Sequence, residues 1–212
     1  MTLQTLELFA GTQSFSKAAR RLGHRTHAVE LDPSLAPDEV ADVAVWDSKK
    51  WQGVVDVLWA SPPCTCFSVA SIGRHWTGGK RAYVPKTQKA VEAKALVEAT
   101  LEKIKEIAPT WWFIENPRGV LRKMPFMRGM FRRTVTYCQY GDSRMKPTDI
   151  WTNAWWWEPK RVCRNGDRCH EAAPRGAKTG TQGIDGARDR GRIPPALFRE
   201  IFEQMPPPAT SS

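Results

Sequence analysis

No run of apolar residues in this 212-residue sequence approaches the roughly 18 positions that a membrane-spanning helix needs. The first residues also lack the basic-then-apolar pattern of a secretory signal. These two absences predict a soluble, cytoplasmic protein with no membrane partner. Cysteine is sparse and odd in number, with Cys64, Cys66, Cys138, Cys163 and Cys169 only, which excludes the disulfide framework of a small secreted domain. There is no internal repeat. The one early glycine loop, Ala10-Gly11-Thr12-Gln13-Ser14, lacks the full Gly-x-Gly-x-x-Gly pattern and has no lysine for a phosphate, so by itself it does not mark a nucleotide site.

What is present is enough for one α/β domain with a proper core, and too little for two large ones. The net charge of +10 is unevenly spread: residues 1 to 117 carry 14 Lys+Arg against 13 Asp+Glu, and residues 118 to 212 carry 18 against 9. A basic surface confined to the second half points to a polyanion partner, because neutralising phosphates releases condensed counterions.

Apolar runs at Leu3–Phe9, His27–Asp32, Val43–Asp47, Val54–Ala60 and Trp111–Ile114 read as strands, with Thr134–Tyr140 and Asp149–Asn153 as a further antiparallel pair. Helices are expected over Ser16–Leu22, about Thr87–Ile107 and about Pro194–Gln204, and the polar stretch after Cys64 through Arg81 reads as a mobile loop. Strands alternating with helices argue for an α/β fold with a mostly parallel seven-stranded sheet and helices on both faces.

Cys64 directly follows Pro62 and Pro63 at a strand end, where two fixed φ angles keep the backbone extended and stiff. A free cysteine alone is most often a small buried hydrophobe. A second strand end, Trp111-Trp112-Phe113-Ile114-Glu115-Asn116-Pro117, places a carboxylate in the equivalent position, at the edge where open α/β sheets collect ligands. Glu30 and Asp47 end two more strands. An acid after the second strand faces the ribose of a bound nucleoside, so the group favours an adenosine-containing cofactor.

Leu8-Phe9-Ala10-Gly11, Ser61-Pro62-Pro63-Cys64 with Phe67-Ser68, and Glu115-Asn116 resemble, in order and spacing, the core motifs of the DNA cytosine-5 methyltransferases. Tyr140-Gly141 with Arg144 and Lys146 resembles the next motif, and Arg192-Ile193-Pro194-Pro195-Ala196-Leu197 is similar to the last, which packs back against the cofactor loop. The resemblance implies a Rossmann-like fold, S-adenosylmethionine as cofactor, and a monomer acting on duplex DNA with one cytosine flipped into the site. It implies that Cys64 adds to carbon-6 and that Glu115 contacts ring nitrogen-3, with Arg144 and Lys146 near the base and its phosphates. Phe9, Ala10, Gly11, Thr12, Gln13, Glu30, Leu31, Asp47 and Pro62 would hold the cofactor. The chain departs from the family at Gln13-Ser14, where two glycines are usual, at Pro117 in place of valine, and at Arg144 in place of glutamine.

The domains implied are a catalytic core over 1–153, a small basic recognition segment over 154–191, a returning helix over 192–205 and a disordered tail over 206–212. The family usually inserts a sizeable recognition domain where this chain has 38 residues, which predicts a short or relaxed target sequence. Compact enzymes of this type suit restriction-modification or phage DNA modification. Within the short segment, Cys163, Cys169 and His170, with Cys138 from the neighbouring strand, would make a Cys3His zinc set. Of ten tryptophans, those on strands are expected in the core, while Trp155 to Trp157 could stack on unpaired bases. Rival readings are an RNA cytosine methyltransferase, a non-catalytic nucleic-acid binder, and a redox or metal site made by Cys64 and Cys66.

Overall fold

The computed structural model describes residues 1–77, 83–164, 166–171, 189 and 191–207. Its centre is a seven-stranded sheet built from β1 (Gln4–Leu8), β2 (Arg25–Glu30), β3 (Glu39–Val40), β4 (Val57–Ala60), β7 (Trp111–Pro117), β8 (Arg132–Thr136) and β9 (Pro147–Thr152), in the order β3-β2-β1-β4-β7-β9-β8. The first five of these run parallel, and β9 is antiparallel to both β7 and β8. A two-stranded ribbon, β5 (Trp76–Thr77) with β6 (Val84–Pro85), lies apart.

Strand periodicity divides the core between two faces. In β4, Leu58 and Ala60 join Leu6, Leu8, Ile114 and the buried side of helix α3 (Gln88–Ile107), where Val97, Ile104 and Ile107 lie. Val57 and Trp59 point the other way, into Phe15 and Ala18 of α1 (Ser14–Arg21) and Leu197, Phe198 and Ile201 of α4 (Pro195–Gln204). Trp59, sandwiched between Phe15 and Phe113 and met edge-on by Phe198, is the hub of this second layer. Both faces are therefore covered, as expected for a parallel sheet.

Several boundaries differ from the sequence reading. Val43–Asp47 is a turn, not a strand: Val43 and Trp46 are buried, but Trp46 is anchored by its indole N–H on Glu39 rather than by a sheet ladder. The third strand is instead the short, polar-flanked Glu39–Val40, which has too little alternation to be read. Val54 and Val55 precede β4, and β8 ends at Thr136, where Tyr137–Tyr140 tightens into a 3-10 turn. The stretch after Cys64 is ordered in part as a short helix, α2 (Ile72–His75), and the small ribbon, with His75 bonded to Thr87. Gly78–Arg81 and most of the expected tail lie outside the described residues.

Candidate active site

The chain runs outward from β1 through β2 to β3, then crosses back to β4, so β1 and β4 flank the switch point at which such sheets bind ligands. Register lines up the strand ends. Leu8 pairs with Val29 and Ala60, and Ala60 with Ile114, which sets Phe9, Glu30, Ser61 and Glu115 in one row along the carboxyl edge.

Cys64 sits in the loop leaving β4, half-buried and outside any disulfide. The loop folds on itself, since the Cys64 carbonyl accepts N–H bonds from Phe67 at 2.9 Å and Ser68 at 3.1 Å. It is tied to β7 at both ends. The Asn116 side-chain amide donates to the Pro62 carbonyl at 3.0 Å, and the Val120 N–H donates to the Phe67 carbonyl at 2.8 Å. The second tie depends on Gly119: a Cβ there would fall inside contact distance of the Phe67 carbonyl oxygen. Asn116 and Gly119 were not singled out as functional from sequence, although both stand within four residues of Glu115. Cys66 behaves differently from Cys64. It is buried, its thiol donates to the Lys89 carbonyl, and burial pushes that thiol up. The two cysteines do not act as a pair.

Glu115 is 6% exposed and accepts a 2.8 Å hydrogen bond from the Tyr137 hydroxyl. Burial raises its carboxyl above the usual range, opposed by the Lys146 charge and the Tyr137 bond and assisted by Asp149. Lys146, at the start of β9 with a left-handed φ of 28°, feels the carboxylate of Glu115 and the thiol of Cys64. Burial nevertheless lowers its ammonium below the ordinary lysine value. Lys146 thus lies in electrostatic reach of both Glu115 and Cys64, with its ammonium 4.7 Å from the ring centroid of Tyr137, the partner of Glu115. Arg144 is buried, paired with Asp142 and bonded to the carbonyls of Asp189 and Arg192, and its charge is felt by Lys146 and Tyr137. Its place is that of a brace between the β8–β9 loop and the returning C-terminal segment.

On the other side of the switch point, Phe9, Gly11 and Gln13 all adopt left-handed φ, near +50°. Left-handed backbone at non-glycine positions costs on the order of 1–2 kcal/mol each and concentrates at functional loops. Three side chains hold this loop. Buried Glu7 accepts the Phe15 and Ser16 N–H groups at the start of α1, and burial pushes its carboxyl up to about 7. Glu30 accepts N–H bonds from Gly11, Leu31 and Asp32. Ser14 accepts the Ile193 N–H at 3.3 Å, so the C-terminal segment does pack back onto this loop. Thr12 also bonds Ser14, while Gln13 turns its amide away to the carbonyls of Leu35 and Ala36. Ala10 and Pro62 are buried behind the edge and Leu31 is exposed on it.

A cleft of about 550 Å³ runs beside the loop, lined by Thr12, Ser14, Lys17, Arg144, Arg192 and Pro194. Its volume falls in the range of small-molecule sites. Three bonds leave Glu30 with one of roughly four carboxylate acceptor positions, so a ribose hydroxyl can still be met there. The edge therefore fits an adenosine-containing ligand with a carboxylate tail. The acid following β3, however, is Asp42. Asp47 lies five residues further, exposed, with its carboxylate accepting the Lys49 N–H.

The four proposed metal donors are brought together: one ligand atom from each of Cys138, Cys163, Cys169 and His170 lies within 4.8 Å of all the others. Trp151 and Trp157 are buried core residues, whereas Trp155 is 73% exposed. No helix among the described residues is long and apolar enough to cross a membrane.

No protein-family model matches the chain. A curated protein of Frog virus 3 (isolate Goorha), named "Probable DNA (cytosine-5)-methyltransferase", is 31% identical over 224 residues, covering 95% of this chain and 99% of that one. Solved structures agree on the fold. A prophage-encoded DNA modification methyltransferase of E. coli matches with TM-score 0.52 at 17% identity over 76% of this chain, and Entamoeba histolytica methyltransferase EhMeth with TM-score 0.52 at 10% identity over 76%. This chain spans about half the length of each, 52% and 55%. The sheet order is that of the Rossmann-like S-adenosylmethionine-dependent methyltransferase fold. With the relative's identity extending over nearly the whole of both chains, this protein belongs to the DNA (cytosine-5)-methyltransferase family.

Proposed function

We propose that this protein methylates carbon-5 of cytosine in DNA through a covalent adduct at Cys64. The observation that carries the reading is the convergence of a thiol, a buried carboxyl and an ammonium, Cys64, Glu115 and Lys146, on the row of strand ends. S-adenosylmethionine, bound at the Gly11 loop, Glu30 and the acid after β3, supplies the electrophilic methyl group.

The thiolate of Cys64 forms a bond to carbon-6 of a flipped cytosine, and the ring π pair moves to carbon-5, making it nucleophilic. Lys146 stabilises the thiolate before attack, being the cation that both reacting groups feel. Burial favours the protonated form of the Glu115 carboxyl, the form that donates to ring nitrogen-3 as charge develops there. Tyr137 fixes the orientation of that carboxyl. After the methyl is added, the carbon-5 proton leaves to water, its electron pair forms the carbon-5–carbon-6 double bond as the carbon-6–sulfur bond breaks and Cys64 departs as thiolate, and nitrogen-3 returns its proton to Glu115. Arg144 serves by position, holding the loop that presents Lys146. Base extrusion and recognition fall to the basic second half, with Trp155 exposed for stacking.

The test is transfer of labelled methyl from S-adenosylmethionine to duplex DNA, single-stranded DNA and RNA in parallel. Intact protein and Cys66→Ala should label carbon-5 of DNA cytosine. Cys64→Ala should not, and Glu115→Gln should be slowed about 10²–10⁴-fold, the usual worth of a general acid. Label on RNA alone would move the substrate, and DNA binding without transfer to any acceptor would make the chain a binding protein.

A further inference from the structure

The cluster formed by Cys138, Cys163, Cys169 and His170 lies outside the methyl-transfer machinery, and its chemistry is independent of that reading. We propose that these four residues form a tetrahedral zinc site that fastens the segment around 158–171 to the wall of the active site.

The donor geometry is that of one small ion. Zinc–sulfur bonds of about 2.3 Å and zinc–nitrogen bonds of about 2.0 Å set tetrahedral edges near 3.8 Å between sulfurs and near 3.5 Å between sulfur and nitrogen. Here Cys138 Sγ lies 3.2 Å from Cys163 Sγ and 3.5 Å from Cys169 Sγ, and His170 Nδ1 lies 3.8 Å from Cys163 Sγ and 3.5 Å from Cys169 Sγ. A disulfide would account for two of these atoms and leave the other thiol and the imidazole unexplained. Thiolates with one imidazole select zinc over the hard divalent ions. Loading releases a proton from each of the three thiols and leaves one net negative charge, on a surface otherwise rich in arginine.

The segment needs such a staple. It has no strand or helix over 158–164 and 166–171; Glu158 is bonded to Gln204 and paired with Arg133, and beyond it the segment is held by Lys160 N–H to the Tyr140 hydroxyl, Lys160 Nζ to the Gln139 carbonyl, Cys163 N–H to Thr136 Oγ1 and Glu171 N–H to the Ser143 carbonyl. Its anchor is well placed. Cys138 follows Tyr137, the partner of Glu115, and Ser143 lies in the loop that carries Lys146. Metal at this point joins the basic second half to the turn behind the reacting groups.

The full-length protein, purified without chelator, should contain about one equivalent of zinc by elemental mass spectrometry. Cys163→Ser and Cys169→Ser should lose most of it, and Cys66→Ala should keep it. Should the serine variants fail to fold, cobalt exchanged into the intact protein decides the matter, since three thiolates in a tetrahedron give intense visible bands and a thiolate-to-cobalt charge-transfer band. A protein isolated without metal that binds cobalt only with a weak octahedral spectrum would overturn the proposal, as would a Cys138–Cys163 disulfide found in the fresh protein in place of zinc.

Discussion

Replacing Gly119 by alanine should disable the enzyme from a position that touches neither base nor cofactor. The new Cβ would collide with the carbonyl oxygen of Phe67 and come within 3.1 Å of its carbon and 3.3 Å of Ser68 Cα. These are backbone atoms, so no side-chain rotation relieves the overlap, and the loop must retreat by on the order of 1 Å to restore contact distance. That retreat breaks the 2.8 Å bond from the Val120 N–H and pulls on the segment whose other end Asn116 holds at Pro62. Adding about 1 kcal/mol for the bond to about 1–3 kcal/mol for overpacking gives a destabilisation of roughly 2–4 kcal/mol. Cys64 lies between the two ties, and a misplacement of about 1 Å in a reacting group costs roughly 100-fold in rate. Urea denaturation with single-turnover methyl transfer measures both effects. Gly73→Ala, where the added methyl meets nothing within 4 Å, is the control. Parental stability and rate in Gly119→Ala would refute the claim that this close approach sets the position of Cys64.

Two further outcomes are expected. Buried Glu7 has a folded-state pKa of about 7 against an ordinary 4.5, so the native state holds more protons than the unfolded chain between those values, and stability falls as pH rises through that window before levelling above it. The full effect is at most about 3 kcal/mol, and denaturation midpoints at pH 5 and pH 8 should differ less in Glu7→Gln than in the parent. If Asp42 is the acid that meets the cofactor, Asp42→Ala should weaken S-adenosylmethionine binding by roughly 10–100-fold, the worth of a hydrogen bond to a charged group, while Asp47→Ala leaves it unchanged by titration calorimetry.

Sequence reading recovered the layers and the residues at the ends of long apolar strands. β1 shows as an alternating segment, while β4 and the first four residues of β7 are continuous apolar runs because both faces are buried, and that signal also locates Cys64 and Glu115 at their ends. It failed where tertiary contacts outweigh pattern. The two-residue β3 has one exposed and one half-buried position and leaves no periodic trace, so pattern alone favours the neighbouring run with two buried apolar residues and, with it, Asp47 as the strand-end acid. Gly119 and Asn116 act through backbone carbonyls more than fifty positions away, a relation that composition and spacing do not encode. The zinc donors were legible as residue types. Their grouping, with Cys138 from the neighbouring strand, is legible too and the structure brings the four together, whereas the turn by which the adjacent Cys169 and His170 reach one point is set by an irregular segment that spacing does not encode.

The two sides of the site are held from different parts of the chain, and this bears on how each is positioned. The cofactor side is over-determined: left-handed Phe9 and Gln13 would relax if unrestrained, yet Glu7 of β1 and Glu30 of β2 fix the loop and the start of α1, and Ser14 is met by Ile193 just before the last helix of the chain. A loop held in strained geometry by three independent contacts is formed before ligand arrives. The base side is held from other elements, the Cys64 loop by Asn116 of β7, by Val120 beyond it, by the Trp76 indole and by the bond from Cys66 to Lys89, and Lys146 by a loop that Arg144 ties to the C-terminal segment and the Glu171 N–H meets at Ser143. Cofactor can therefore occupy a finished half-site, while the reacting groups are positioned by contacts that reach into the basic segment. Loosening that segment should therefore slow methyl transfer, and because Arg144 of the same loop also lines the cleft beside the Gly11 loop, S-adenosylmethionine titration of the same variant measures how far the two sides are coupled.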